Sequence, residues 1–228
     1  MANEIISYLE MCQREHMSLQ RGMNFGQGTN HSVVLMSRRT NAPYEDELRE
    51  GGTMLIYEAH DEPRSSRVPD PKLVDQPERT PGGRLTQNGL FYQAAQQAKD
   101  GLRVPERVRV YEKLRQGIWS YNGMFHLQGA WREQGKKRSV FKFQLVAVEE
   151  GELGWRERRN ATRRRVIPTH IKLEVWERDH GQCVVCGARD ELHFDHVVPF
   201  SKGGTSVLAK NIQLLCARHN IEKRDRIR

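Results

Sequence analysis

Two pairs of metal-type side chains, Cys183-Val-Val-Cys186 and Cys216-Ala-Arg-His219, constrain the C-terminal end of this chain more than any other feature. Each pair sets two ligands close together, and the spacing lets all four close tetrahedrally around Zn2+. The remaining cysteine, Cys12, stands far away, and the other three fall within the last 46 residues. In a chain without a secretion signal, that clustering favours metal binding over disulfides. A domain of about 55 residues buries little apolar surface, so a structural zinc would compensate for a small core.

A second arrangement is interleaved with the first. It runs Leu192-His-Phe-Asp195-His196-Val-Val-Pro199, then Gly203-Gly204, Asn211, and Asn220-Ile-Glu-Lys223. Cleaving a phosphodiester needs a water made nucleophilic and a sink for negative charge on oxygen. A histidine can serve as general base and a hard, oxygen-ligated cation as the sink. Asp195 and the side-chain carbonyl of Asn220 are suitable oxygen ligands for Mg2+ or Mn2+, and His196 lies beside the aspartate.

Taken together, residues of about 170–225 resemble an HNH nuclease domain, the ββα-metal fold. The resemblance rests on the cysteine pairs, the D-H-x-x-P strand end, the Gly-Gly turn, the Asn and the closing C-x-x-H-N-x-x-K. It implies that His196 is the general base and that Asp195 and Asn220 hold the catalytic metal. Asn211 would orient the base or the hairpin, and Cys183, Cys186 and Cys216 would bind zinc. His219 stands where the family usually has a fourth cysteine; it is expected to be the fourth zinc ligand, the alternative being a role at the catalytic metal. His193 is expected to be packed or to face phosphate.

Upstream, the pattern changes to short strands. Val33 to Met36, Met54 to Tyr57, Val108 to Tyr111 and Val140 to Val146 are apolar or alternating runs rich in β-branched and aromatic residues, with one helical segment around Leu90 to Lys99. The order predicts a β-rich domain closer to a barrel than to a parallel α/β sheet. Asp61 to Gly83 carries five prolines and reads as a long loop outside the core. Met1 to Leu19 has amphipathic-helix spacing and lacks the flanks of a signal peptide, so a cytoplasmic protein is expected, of the bacterial type that the family resemblances imply. No run approaches the roughly 20 apolar residues of a membrane span. The expected division is 1–148, a polar linker 149–169 and a C-terminal domain 170–228, with a helix over Ile171 to Arg178.

Charge supports a polyanionic partner. The formal net charge is +8, and residues 151–228 hold sixteen Lys and Arg against ten Asp and Glu, densest around Arg163, Arg164 and Arg165. Beside a nuclease motif such a run suggests phosphate contacts, since Lys and Arg supply sequence-independent DNA affinity by releasing counterions.

Several N-terminal segments, in order, resemble the SRA domain, a PUA-like barrel that flips 5-methylcytosine out of DNA. They are Ser32 to Ser37, Tyr44-Glu-Asp-Glu47, Gly52, Ile56-Tyr57, Asp75-Gln76, Val108 to Val110, Tyr121 to Phe125, Ala130-Trp131 and Val140 to Leu145. A flipped base is held by aromatic stacking and by hydrogen bonds to its polar edge. The resemblance implies that Tyr44 and Tyr57 sandwich the base and that Asp46 or Glu47 accepts from the cytosine amino group. Tyr121-Asn122-Gly123 reads as a structural turn. Arg64, Arg67 and Arg79 on the long loop are candidate DNA contacts.

The combined expectation is an α+β chain, an SRA-like β-barrel followed by a zinc-containing HNH domain. It would be an endonuclease that reads 5-methylcytosine, or 5-hydroxymethylcytosine, in double-stranded DNA and cuts nearby. One HNH site cuts one strand, so a homodimer is expected. The alternatives are an HNH endonuclease indifferent to modification and a methylated-DNA-binding protein that does not cleave.

Overall fold

The structure is a computed structural model describing residues 3–26, 30–135, 137–148, 166–199 and 202–227. In chain order the elements are β1 (Glu4–Ser7), α1 (Tyr8–Glu15), β2 (Met23–Asn24), β3 (Ser32–Met36), β4 (Glu47–Arg49), β5 (Met54–Glu58), α2 (Gln87–Lys99), β6 (Glu106–Arg115), β7 (Ile118–Gln134) and β8 (Ser139–Ala147). They are followed by α3 (Thr169–Arg178), β9 (Leu192–His196), β10 (Ile212–Cys216) and α4 (Ala217–Lys223). No described helix is long and apolar enough to cross a membrane.

One mixed sheet carries the molecule. Its path runs β10-β9-β1-β7-β6-β3-β2, while β8, β5 and β4 extend from the other end of β7. Strand β7 spans 17 residues because its first part pairs with β6 and its last part with β8. The β3–β6 pair is parallel; the others are antiparallel. The sheet surrounds a core of Val34, Met36, Leu55, Tyr57, Val108, Phe125, Phe143 and Leu145, against which α2 packs Phe91, Ala94 and Ala95. Helix α2 starts at its cap, where the Thr86 side chain accepts from Gly89 N–H.

Three local expectations are corrected. The N-terminal helix is preceded by a strand: Ile5 and Ile6 pair with Ser120 and Trp119 of β7, and the helix begins only after Ser7, which forms a capping box with Glu10. Tyr121-Asn122-Gly123 is not a turn but a β-bulge, where the register against β6 shifts and Gly123 takes a φ of 96°. The proline-rich loop is not wholly outside the core. Its Gln76 is buried, donates to the Ala59 carbonyl at 2.6 Å and accepts from Phe141 N–H at 2.8 Å.

At the C-terminal end, β9 and β10 form a hairpin covered by α3 and closed by α4. Its core is shared with the rest of the molecule: Ile167, Ile171, Val175, Phe194, Ile212 and Leu214 pack with Leu114 of β6, and with Ile5 and Ile118.

Candidate functional site

The four metal-type side chains converge although they come from a loop, the end of β10 and the start of α4. The ligand atoms of Cys183, Cys186, Cys216 and His219 lie within 4.8 Å of one another. His219 Nδ1 is 3.4 Å from Cys183 Sγ and 3.3 Å from Cys216 Sγ, and the sulfurs of Cys186 and Cys216 are 3.9 Å apart. Tetrahedral bonds of about 2.3 Å to sulfur and about 2.0 Å to nitrogen would separate the ligands by roughly 3.6 to 3.8 Å, so the set fits zinc in both chemistry and size. Burial alone would push the Cys183 thiol up, but the backbone N–H groups of Cys216, Cys186 and Val185 and the His219 side chain bring it down to about 6. A thiolate is the form that binds metal.

Beside this cluster, β9 ends in Asp195 and His196, cross-strand from Gln213 and Ile212. Lys223 reaches between them from α4. Its wholly enclosed ammonium lies 2.9 Å from Asp195 Oδ2 and donates to the His196 carbonyl at 2.6 Å. Gln213 adds a bond to the same carboxylate oxygen at 3.2 Å. Asn220 lies three residues before Lys223, so both project from one face of α4. His196 Nε2 is 2.9 Å from Ser206 Oγ.

Asn211 clamps the segment that follows His196. Its Oδ1 accepts from Val198 N–H at 2.9 Å, and its Nδ2 donates to the carbonyls of Val198 and Thr205 at 3.1 and 2.9 Å. Gly204 is required here, because a Cβ would run into the Val198 carbonyl. His193 is packed, with its Nδ1 buried and without a hydrogen-bond partner among the described residues, and burial lowers its pKa.

The aromatic site lies on the other part of the sheet. Two side chains lie against the half-buried Tyr44 ring. The His60 ring stacks on it at 4.6 Å with 9° between planes, and Lys72 Nζ stands 4.3 Å from its centroid. Tyr57 is enclosed; its hydroxyl is 2.9 Å from His60 Nε2 and within bonding distance of the Gly22 and Leu35 carbonyls. The side chain presented to Tyr44 is therefore His60, with Tyr57 behind it. Burial lowers the His60 pKa to about 4.

The two candidate carboxylates have different surroundings. Asp46 accepts from Ser37 N–H at 3.0 Å and Glu58 N–H at 3.1 Å, and burial, outweighing these bonds, pushes its pKa up to about 7. Glu47 is 53% exposed and pairs with Arg49 at 2.7 Å. Two adjoining cavities of about 600 and 620 Å³ meet at Tyr44, Glu45 and Lys142. The first also takes in Arg38, Arg39, Asp46 and Glu47, and the second Glu58, Lys72 and Arg138. Arg64, Arg67 and Arg79 are exposed on the long loop, with Arg79 donating to the Gly83 carbonyl at 2.9 Å. Arg163, Arg164 and Arg165 lie outside the described residues.

His60, Lys72, Ser206 and Gln213 join these sites without a motif of their own, and Lys223 gains a role that its place in the closing motif does not state. Only Lys223 carried a signal, as the final residue of the closing motif. A buried lysine reads in sequence as a surface one.

Comparison with known proteins adds the following. Residues 183–226 match the family model described as HNH endonuclease, so the chain carries an HNH segment. No curated protein matches the chain in sequence. Among solved structures, it is similar to the SUVH5 SRA domain in complex with hemi-methylated CG DNA, with 22% identity, a TM-score of 0.45 and coverage of 68% of this chain and 92% of that one. The same domain bound to fully hydroxymethylated CG DNA gives 20% identity, a TM-score of 0.45 and coverage of 66% and 90%. Arabidopsis thaliana SUVH6 in complex with SAM gives 15% identity, a TM-score of 0.45 and coverage of 86% and 31%.

Proposed function

We propose that this protein is a modification-dependent DNA endonuclease that reads 5-methylcytosine, or 5-hydroxymethylcytosine, with its N-terminal part and hydrolyses a nearby phosphodiester with its HNH segment. The observation that carries the reading is the Asp195-His196 pair, set at a strand end by Lys223 and Asn211 beside a zinc-type cluster. Asp195 and Asn220 would hold Mg2+ or Mn2+, which supplies charge stabilisation at the scissile phosphate. His196 takes the proton from the attacking water. Asn211 fixes the backbone after His196 and so the direction of the imidazole. Lys223 neutralises and orients the Asp195 carboxylate through Oδ2. Cys183, Cys186, Cys216 and His219 would hold a structural zinc, which would tie the hairpin to α4.

For the reader, Tyr44 is the stacking platform. A flipped base reaches it by displacing Lys72, because Lys72 is 45% exposed while His60 is anchored by Tyr57. Asp46 is the more sheltered carboxylate of the pair, half-buried where Glu47 is exposed, and is assigned to the polar edge of the base. At a pKa near 7 its carboxyl can both accept from the cytosine amino group and donate to the ring nitrogen. Arg38, Arg39 and Arg49, which line the same cavity as Glu47, would face the phosphate backbone of the DNA. Two copies acting on one duplex would cut both strands.

The test uses duplexes of one sequence carrying 5-methylcytosine, 5-hydroxymethylcytosine or unmodified cytosine, incubated with protein and Mg2+ or Mn2+, alongside His196→Ala. Cleavage confined to modified duplexes and lost in the variant supports both halves of the proposal. Equal cleavage of all three removes the modification reader, and binding without cleavage removes the nuclease.

A further inference from the structure

The two proposed sites are joined by more than the polypeptide between them. Strand β1 is shared: Glu4 pairs with Tyr121 of β7 on one side and with His193 of β9 on the other, two residues from Asp195. Asn3 continues the splice, donating to the Tyr121 carbonyl at 2.7 Å and accepting from Phe194 N–H at 2.9 Å. The nuclease hairpin is thus an extension of the sheet that carries the aromatic pocket.

A buried ionic latch lies behind this splice. Lys172 of α3 is fully buried, and its ammonium bonds Glu112 of β6 at 2.7 Å and Asn122 at the β7 bulge at 2.5 Å. Thr169 donates to the other oxygen of Glu112. Val166 N–H bonds the Gly52 carbonyl at 2.8 Å, at a glycine where a Cβ would run into Val166. The apolar core containing Leu114, Ile118, Ile171 and Phe194 closes the same junction. A directional buried ion pair specifies one arrangement, since any slip would leave a charge unpaired away from water.

We infer that the fold itself, through the β1 splice and the Lys172–Glu112 latch, sets the distance from the modified base to the cut. Lys172 and Glu112 are positioning residues for cleavage, although neither touches DNA. This inference rests on the proposed function above. It implies a discrete cut position, independent of the length of the chain connecting residues 148 and 166.

The test inserts six Gly and Ser residues between residues 156 and 157 of the full chain. A duplex with a single 5-methylcytosine, labelled at each end in turn, is then cut and the products mapped to the nucleotide. The expected result is one dominant position per strand for both proteins. A cut position that moves or spreads in the insertion variant overturns the inference. The spacing between spectroscopic labels at Lys99 and Arg189 gives a second readout that needs no cleavage. It should be narrow and unchanged by the insertion, and a broadened distribution overturns the inference. Should cleavage prove indifferent to modification, the function proposal fails, while the label distances still decide whether the two parts move as one body.

Discussion

Lys223 shows how much one side chain can do at the proposed nuclease site, because it ties Asp195 and the His196 backbone together from α4. A charge-assisted bond of this kind contributes roughly 1.5–3 kcal/mol. Lys223→Met should therefore lower the cleavage rate about 10- to 100-fold, and a titration with Mg2+ should show a higher metal requirement. An effect on rate with no change in metal requirement would mean that Lys223 does not hold Asp195. In the pocket, Gly22 has its own necessity: a Cβ there would run into the His60 ring. Gly22→Ala should displace His60 from Tyr44 and alter modified-duplex affinity more than overall stability. Two pockets of pH dependence have opposite signs. Asp46 has its pKa raised to about 7, so the native state holds its proton more tightly than the unfolded chain, and this group lowers stability as pH rises from its ordinary value through 7. His60 has its pKa lowered to about 4, so it lowers stability as pH falls from 6.5 toward 4. Denaturant midpoints across pH should lose the first slope in Asp46→Asn, and an unchanged slope would mean that Asp46 does not titrate above its ordinary range.

At the scale of elements, the hairpin β9–β10 and helix α4 depend on the cysteine cluster for their mutual placement. Cys183 precedes the hairpin, and Cys216 and His219 sit at its end and on α4. Chelation of zinc, or Cys216→Ser, should abolish hydrogen-exchange protection in residues 183–223 and leave that of β6, β7 and β8 in place, because the latter are held by their own core. Equal protection with and without metal would reject the zinc assignment. Legibility differed between elements for a physical reason. The strands from Val33, Met54, Val108 and Val140 were visible because one or both faces are apolar. Strand β1 was hidden because Ile5 and Ile6 suit a helix face as well as a strand, and only the partner strands on both sides select extended backbone. The bulge at Asn122 was hidden because a Gly beside an Asn reads first as a turn.

For the molecule as a whole, the Lys172–Glu112 pair has consequences for stability apart from those for cleavage. Both side chains are wholly buried, and Lys172, with Thr169 and Asn122, holds the Glu112 carboxyl below its usual range against the opposing effect of burial. Removing one partner from such a pair costs about 3–5 kcal/mol, because the other charge remains enclosed. Lys172→Ala should lower the unfolding free energy, read from denaturant titration, by that amount, and the double variant Glu112→Leu with Lys172→Met should recover most of it. A single substitution without effect would mean that the junction is open to water.

The metal-type cluster, the Asp195-His196 strand end, Asn211 and the ordered strands were written in the sequence by itself, because ligand chemistry and residue alternation are local properties that survive without a fold. The pairing of Lys223 with Asp195, the placement of His60 and Lys72 against Tyr44, the more sheltered setting of Asp46 beside an exposed Glu47, and the latch from Lys172 to Glu112 come from the tertiary structure alone. Each depends on which distant segments meet, and a charged side chain looks the same in sequence whether water or an opposite charge will surround it.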